Sequence, residues 1–159
     1  MEIICDVLGA FLSTYCELIH EYELTALFEV TADDLPLTVF VPDNNAFKTL
    51  EGNEVFGFDP KKIEFDSLTK DEAIFVLLYH VVNTEAQSYS DSDLECGQLT
   101  RTANGEKSRT RCNGTLKYQR GPNNTEETLP RISLTNTNVC NGVVHMTNNV
   151  ILPNLNKLN

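Results

Sequence analysis

The chain has 159 residues, 41% of them apolar, and a formal net charge of -11 from 12 Lys plus Arg against 23 Asp plus Glu. That length fits one compact domain, since roughly 150 residues bury about 68–70% of their unfolded surface. The acidic balance disfavours nucleic acid, which needs a basic footprint, and no apolar run approaches the roughly 18 residues a membrane helix requires.

Leu8, Phe11, Leu12, Tyr15, Ile19 and Tyr22 recur at helical spacing, with Glu17 and Glu21 on other faces. Gly9 weakens the start of this helix, so a short first turn over Ile3 to Leu8 can break from the longer part. A second helical patch holds Leu24, Leu27 and Phe28, and Asp33-Asp34-Leu35-Pro36 punctuates the chain. Leu37-Thr38-Val39-Phe40-Val41, closed by Pro42, reads as a strand buried on both faces. Asp43 is then an N-cap for a short helix whose apolar side is Ala46, Phe47 and Leu50. Glu51 to Asp66, carrying Phe56, Phe58 and Pro60, reads as irregular.

Thr69-Lys70-Asp71-Glu72 matches a capping box. The helix it opens, Ala73 to Val82, is apolar nearly all round and should be buried on most sides, with Val81-Val82 passing into strand. From Leu94 onward the pattern is short β segments: a hairpin around Ala103-Asn104-Gly105, then Leu116 to Tyr118, Ile132 to Leu134, Val143 to Met146 and Val150 to Leu152. Helices come early and strands late, which makes an α+β domain. Val39, Phe40, Val41, Phe47, Ile74, Leu77, Leu78, Val144 and Ile151 are expected in its core.

Five cysteines, Cys5, Cys16, Cys96, Cys112 and Cys140, lack CxxC spacing, and the histidines His20, His80 and His145 are scattered. Disulfides suit this pattern better than metal ligands. With Ala103-Asn104-Gly105 as a three-residue loop, Thr102 faces Glu106, and counting outward sets Cys96 opposite Cys112, within disulfide range. Cys5 and Cys16 would lie about 16 Å apart on an unbroken helix, so their bridge requires a break near Gly9. Cys140 is left free or paired outside the chain. Asn113-Gly114-Thr115 and Asn123-Asn124-Thr125 are N-glycosylation sequons, with Asn113 the more hindered beside Cys112. Cysteines and sequons together point to an extracellular or cell-surface protein. Met1 to Asp6 has neither the basic region nor the apolar stretch of a signal, so the targeting segment is expected to be absent from this chain.

Charge is uneven: no Lys or Arg occurs from Met1 to Phe47, whereas Arg101, Lys107, Arg109, Arg111, Lys117 and Arg120 face only Glu106 between Arg101 and Arg120. Lys107, Arg109 and Arg111 alternate and should share one strand face, with Arg101 across from Lys107. These are candidate anion- or partner-binding residues, weighed against a solvated face balanced by the chain's own acids. Asp91, Asp93 and Glu95 alternate too, but Cys96 stands where a calcium loop needs Gly, so a solvated acidic loop is the better reading. No GxSxG, glycine-rich phosphate loop or HExxH occurs, and no catalytic residue, metal or cofactor is assigned.

Three segments together resemble the fasciclin domain family. Thr38 to Phe47, with Thr38, Phe40, Pro42, Asp43 and Phe47, resembles its first motif. Leu77 to Val82, with Tyr79 and His80, resembles its central motif. Asn141 to Pro153, with Asn141, Gly142 and His145, resembles its closing motif. Asp43 departs from the commoner Thr or Ser, and Thr147-Asn148 replaces an apolar–acidic pair. The resemblance implies a single domain over 3–153, with 154–159 as a tail, built as a wedge of two β-sheets with helices packed along one side. It implies a non-catalytic adhesion or matrix-interaction module whose partner is a cell-surface or matrix protein, including a second copy of itself. In some animal members the tyrosine–histidine region is tied to integrin binding. The alternative is an acidic-polysaccharide receptor using the basic hairpin around 101–111. For His80 and His145 a core role is weighed above a receptor contact.

Overall fold

The computed structural model describes residues 2–29, 36–50, 65–83, 88–139 and 142–158. Helix α1 (Glu2–Glu21) is a continuous helical run, yet it is not straight. Cys5 and Cys16 are disulfide-bonded with Cα atoms 6.0 Å apart, where a straight helix would hold them about 16 Å apart. Asn44 locates the bend. Its Oδ1 accepts from the Thr14 N–H and its Nδ2 donates to the Ala10 carbonyl, both at 3.1 Å. Those two backbone groups are one i to i−4 pair, so the side-chain amide is wedged into the helical ladder. The break anticipated near Gly9 therefore falls just after it. Among the side chains described, α1 buries Leu12, Tyr15, Cys16, Leu18 and Ile19, and Leu8, expected on the same stripe, lies outside them. Phe11, expected on that stripe, is 64% exposed, because the bend turns it away from the face the later turns bury.

Strand β1 (Leu37–Pro42) is buried at every position. It lies inside a four-stranded sheet of order β2-β1-β7-β6, with β2 (Val81–Val82), β6 (Ile132–Val139) and β7 (Gly142–Thr147). It runs parallel to β7 and antiparallel to β2, which is why its apolar run shows no alternation. Asp43 caps α2 (Asn44–Leu50): its Oδ1 accepts the Ala46 N–H at 2.8 Å. Phe47 meets Phe65 edge-on, with centroids 5.7 Å apart. The irregular segment expected around Phe56, Phe58 and Pro60 lies outside the described residues, as do Cys140 and Asn141.

Helix α3 (Lys70–Tyr79) opens with the anticipated capping box of Thr69 and Glu72. It buries Ala73, Val76, Leu77 and Tyr79, but Ile74 and Leu78 are only half-buried. The reason is helical: positions 73, 76, 77 and 80 form one stripe, while 74 and 78 sit on the next row round.

The second sheet has order β3-β4-β5, with β3 (Leu99–Arg101), β4 (Lys107–Asn113) and β5 (Leu116–Arg120). Its hairpin register follows the count made from the loop. Arg101 pairs with Lys107, the Thr102 N–H donates to the Glu106 carbonyl at 2.9 Å, and Gly105 has φ +89°, a conformation that favours glycine. Cys96 and Cys112 are bonded with Cα atoms 5.6 Å apart. The inner face is polar: Thr100, Ser108, Thr110 and Gln119 are all buried. Gln119 meets this by donating to Ser108 Oγ at 2.6 Å and accepting from Thr110 Oγ1 at 2.9 Å.

Val150 to Leu152, expected as a last strand, is buried but joins no ladder. Side chains replace the missing strand partner. The Ile151 N–H donates to His80 Nε2 and the Leu152 N–H to Asn124 Oδ1, both at 2.9 Å. The burial requirement on backbone groups is thus met without a sheet.

Candidate functional site

The residues of the three recognised segments converge on the interior. Thr38 Oγ1 accepts the Tyr89 N–H at 2.7 Å, and Phe40 stacks on the His145 ring with centroids 5.4 Å apart. His145 Nε2 lies 2.8 Å from the Tyr89 carbonyl, an acceptor, so this nitrogen carries the proton. His145 Nδ1 is buried without a partner among the described residues, and burial lowers the pKa of the ring. Gly142 packs so closely on β1 that a Cβ there would meet the Leu37 carbonyl oxygen at 2.0 Å.

Tyr79 and His80, the pair the resemblance associates with integrin contact, are both buried. The Tyr79 hydroxyl donates to the Lys107 carbonyl at 2.7 Å, tying α3 to the start of β4. His80 Nδ1 is 2.8 Å from the Val76 carbonyl while Nε2 accepts from Ile151. This fixes a neutral ring protonated at Nδ1, and burial lowers its pKa to about 4. Both side chains are committed to the fold, and neither presents a surface to a partner.

The acidic loop is also internally engaged. Asp93 caps the turn at Ser90, whose side-chain and backbone hydrogen bonds lower the Asp93 pKa. Asp91 pairs with Lys117 at 3.6 Å. Among the described residues no cluster of His, Cys, Asp and Glu is arranged to hold a metal.

What the surface offers is the outer face of the second sheet. On β4 the exposed residues Lys107, Arg109 and Arg111 alternate with buried Ser108 and Thr110. Arg101 sits across from Lys107 and Arg120 across from Arg109. A groove of about 600 Å³ runs over this face, and Lys107, Arg109, Arg111, Arg120 and Lys157 contribute to its walls. Carboxylates enter at two points: Glu126 contacts Arg120 at 3.2 Å and Arg111 at 3.9 Å, and Glu106 holds Lys157 at 2.7 Å. Arg120, which the sequence places in the basic stretch but not on the candidate face, and Lys157 add to the four candidate residues. Arg120 joins only once β5 is paired to β4, and Lys157 only because buried Leu155 anchors the last turn, Leu155–Leu158. Of the sequons, Asn113 is exposed at the end of β4, whereas Asn123 is half-buried. The order of access anticipated from Cys112 is therefore reversed.

The Fasciclin domain model matches residues 10–153. No curated protein matches the chain. Among solved structures, the chain is similar to a FAS1 domain pair from the insect cell adhesion molecule Fasciclin I, with a TM-score of 0.61 and 15% identity. The match covers 90% of this chain and 45% of that one, so the chain spans less than half of that domain pair. At this identity the likeness concerns the fold, which among the described residues has two sheets and three α-helices. The family model covers most of the sequence, and the chain belongs to the fasciclin domain family.

Proposed function

We propose that this domain is an extracellular, non-catalytic adhesion or matrix-interaction module that works through protein–protein contacts, homophilic ones included. Fasciclin domains are generally non-catalytic adhesion modules, and the match over residues 10–153 is the observation that carries the reading. The two disulfides, Cys5–Cys16 and Cys96–Cys112, support an oxidising compartment. The exposed sequon at Asn113 fits the same setting.

The test is adhesion itself. Beads coated with the disulfide-intact chain should aggregate with one another or retain cells, and uncoated beads should do neither. Coated beads that do not aggregate, retain no cells and capture no matrix protein would overturn the reading.

A further inference from the structure

On a chain of net charge -11, the outer face of β3-β4-β5 concentrates cations that the carboxylates among the described residues only partly neutralise. Arg109 stands directly opposite Arg120 across β4 and β5, and Lys107 stands opposite Arg101, which itself donates to the Gly105 carbonyl. Such pairs are destabilising without anions nearby. Glu126 is shared between Arg111 and Arg120, Glu106 is taken by Lys157, and Arg109 donates to the Gly97 carbonyl.

We propose that this groove is a binding site for a linear acidic polysaccharide, whose sulfate or uronate groups sit on Lys107, Arg109, Arg111 and Arg120. Alternate residues of a strand repeat about every 6.8 Å, so β4 presents a row of cations over about 14 Å. That suits a ligand with charge repeated along its length. Guanidinium forks match the planar or tetrahedral oxygens of carboxylate and sulfate. The groove volume of about 600 Å³ is that of a ligand cleft. A protein partner is disfavoured by the lining: interface cores are depleted in charge and built on aromatic anchors, whereas among the described residues the apolar side chains here are Leu99 and Pro122. Single-stranded nucleic acid is disfavoured because none of the described residues lining the groove is aromatic, and one tyrosine beside it, Tyr118 across from Arg111, lines the neighbouring cavity instead. Glu126, at the edge of the groove, competes with a ligand anion for the Arg111 and Arg120 guanidinium groups.

The site goes beyond the adhesion reading and is tested separately from it. Binding of the intact chain to immobilised heparin, which carries sulfate and uronate, and to polygalacturonate, which carries uronate alone, is measured across a salt series. Retention on heparin should weaken steadily with salt; retention on both would identify carboxylate as sufficient, and on heparin alone sulfate as required. Arg109→Gln with Arg111→Gln should weaken binding about tenfold or more, Lys107→Gln should weaken it less, and Glu126→Gln should strengthen it. These side chains are exposed, and circular dichroism verifies the fold of each variant. The proposal is overturned by retention on neither polymer, by unchanged affinity in the double variant, or by tighter binding to single-stranded DNA. It is also overturned if the basic residues act only in self-association, seen as a salt-sensitive dimer that the double variant abolishes without any polysaccharide binding.

Discussion

His80 spends both ring nitrogens on the backbone, Nδ1 on Val76 and Nε2 on Ile151. Protonation at Nε2 would destroy the second bond and charge a buried ring. With the folded pKa at about 4 and an ordinary value near 6.5, the unfolded chain takes up the proton first as pH falls. The stabilising contribution is therefore complete above about pH 6.5 and is lost as pH falls toward 4, by about 3 kcal/mol in all. His145 titrates in the same sense. Urea midpoints should hold level near neutrality and drop below about pH 6.5, and His80→Ala should show a smaller drop from a lower starting stability. A profile just as steep in His80→Ala would refute this role. Tyr15 presents the opposite case. Its hydroxyl is buried without a partner among the described residues, and burial raises its pKa. Removing an unsatisfied polar atom costs nothing, so Tyr15→Phe should be neutral or stabilising by about 1 kcal/mol in thermal unfolding.

Single asparagines act as joints between elements. Asn44 holds the bend of α1 by bonding Ala10, Ser13 and Thr14. Asn44→Ala should cost about 1–3 kcal/mol in denaturant unfolding and should speed reduction of Cys5–Cys16 by dithiothreitol, because the bend brings the sulfurs together. Asn124 uses its whole amide. It accepts from Gly121 and Leu152 N–H groups at 3.0 and 2.9 Å and donates to Val150 and Thr128 carbonyls at 2.9 and 3.1 Å. Asn124→Ala would strand buried backbone groups and should cost about 3 kcal/mol or more. Asn123→Gln, next door and half-buried, should stay within about 0.5 kcal/mol, so the pair of variants separates the structural asparagine from the sequon.

Across the whole molecule, β1 is inserted parallel to β7 and joins the first half of the chain to its end. Gly142 permits that closeness, since its missing side chain leaves room for the Leu37 carbonyl. Cys96–Cys112 closes the other sheet over a sequence separation of 16. Loss of a bridge of that span is worth about 3 kcal/mol. Secretion from a eukaryotic host should place glycan at Asn113 more fully than at Asn123, because the former is exposed at a turn and the latter half-buried. Mass spectrometry of the intact protein measures both occupancies, and a bare Asn113 beside an occupied Asn123 would contradict the expectation.

Local chemistry was legible without any structure. The loop residues Ala103-Asn104-Gly105 determine the hairpin register, and with it the Cys96–Cys112 pairing, because a tight turn counts residues. The Thr69–Glu72 capping box and the unbroken apolar run of β1 were equally readable, since each depends on neighbours in sequence. Tertiary structure alone decided the rest. Val150 to Leu152 looks like a strand, but its amides go to His80 and Asn124, whose positions are set by distant segments. Phe11 leaves the core because Asn44, thirty-three residues on, interrupts its helix. The basic groove gains Arg120 and Lys157 from a neighbouring strand and the folded chain end. Period and turn chemistry are properties of adjacent residues, whereas burial and charge clustering depend on which segments meet, and that is fixed only when the whole chain packs.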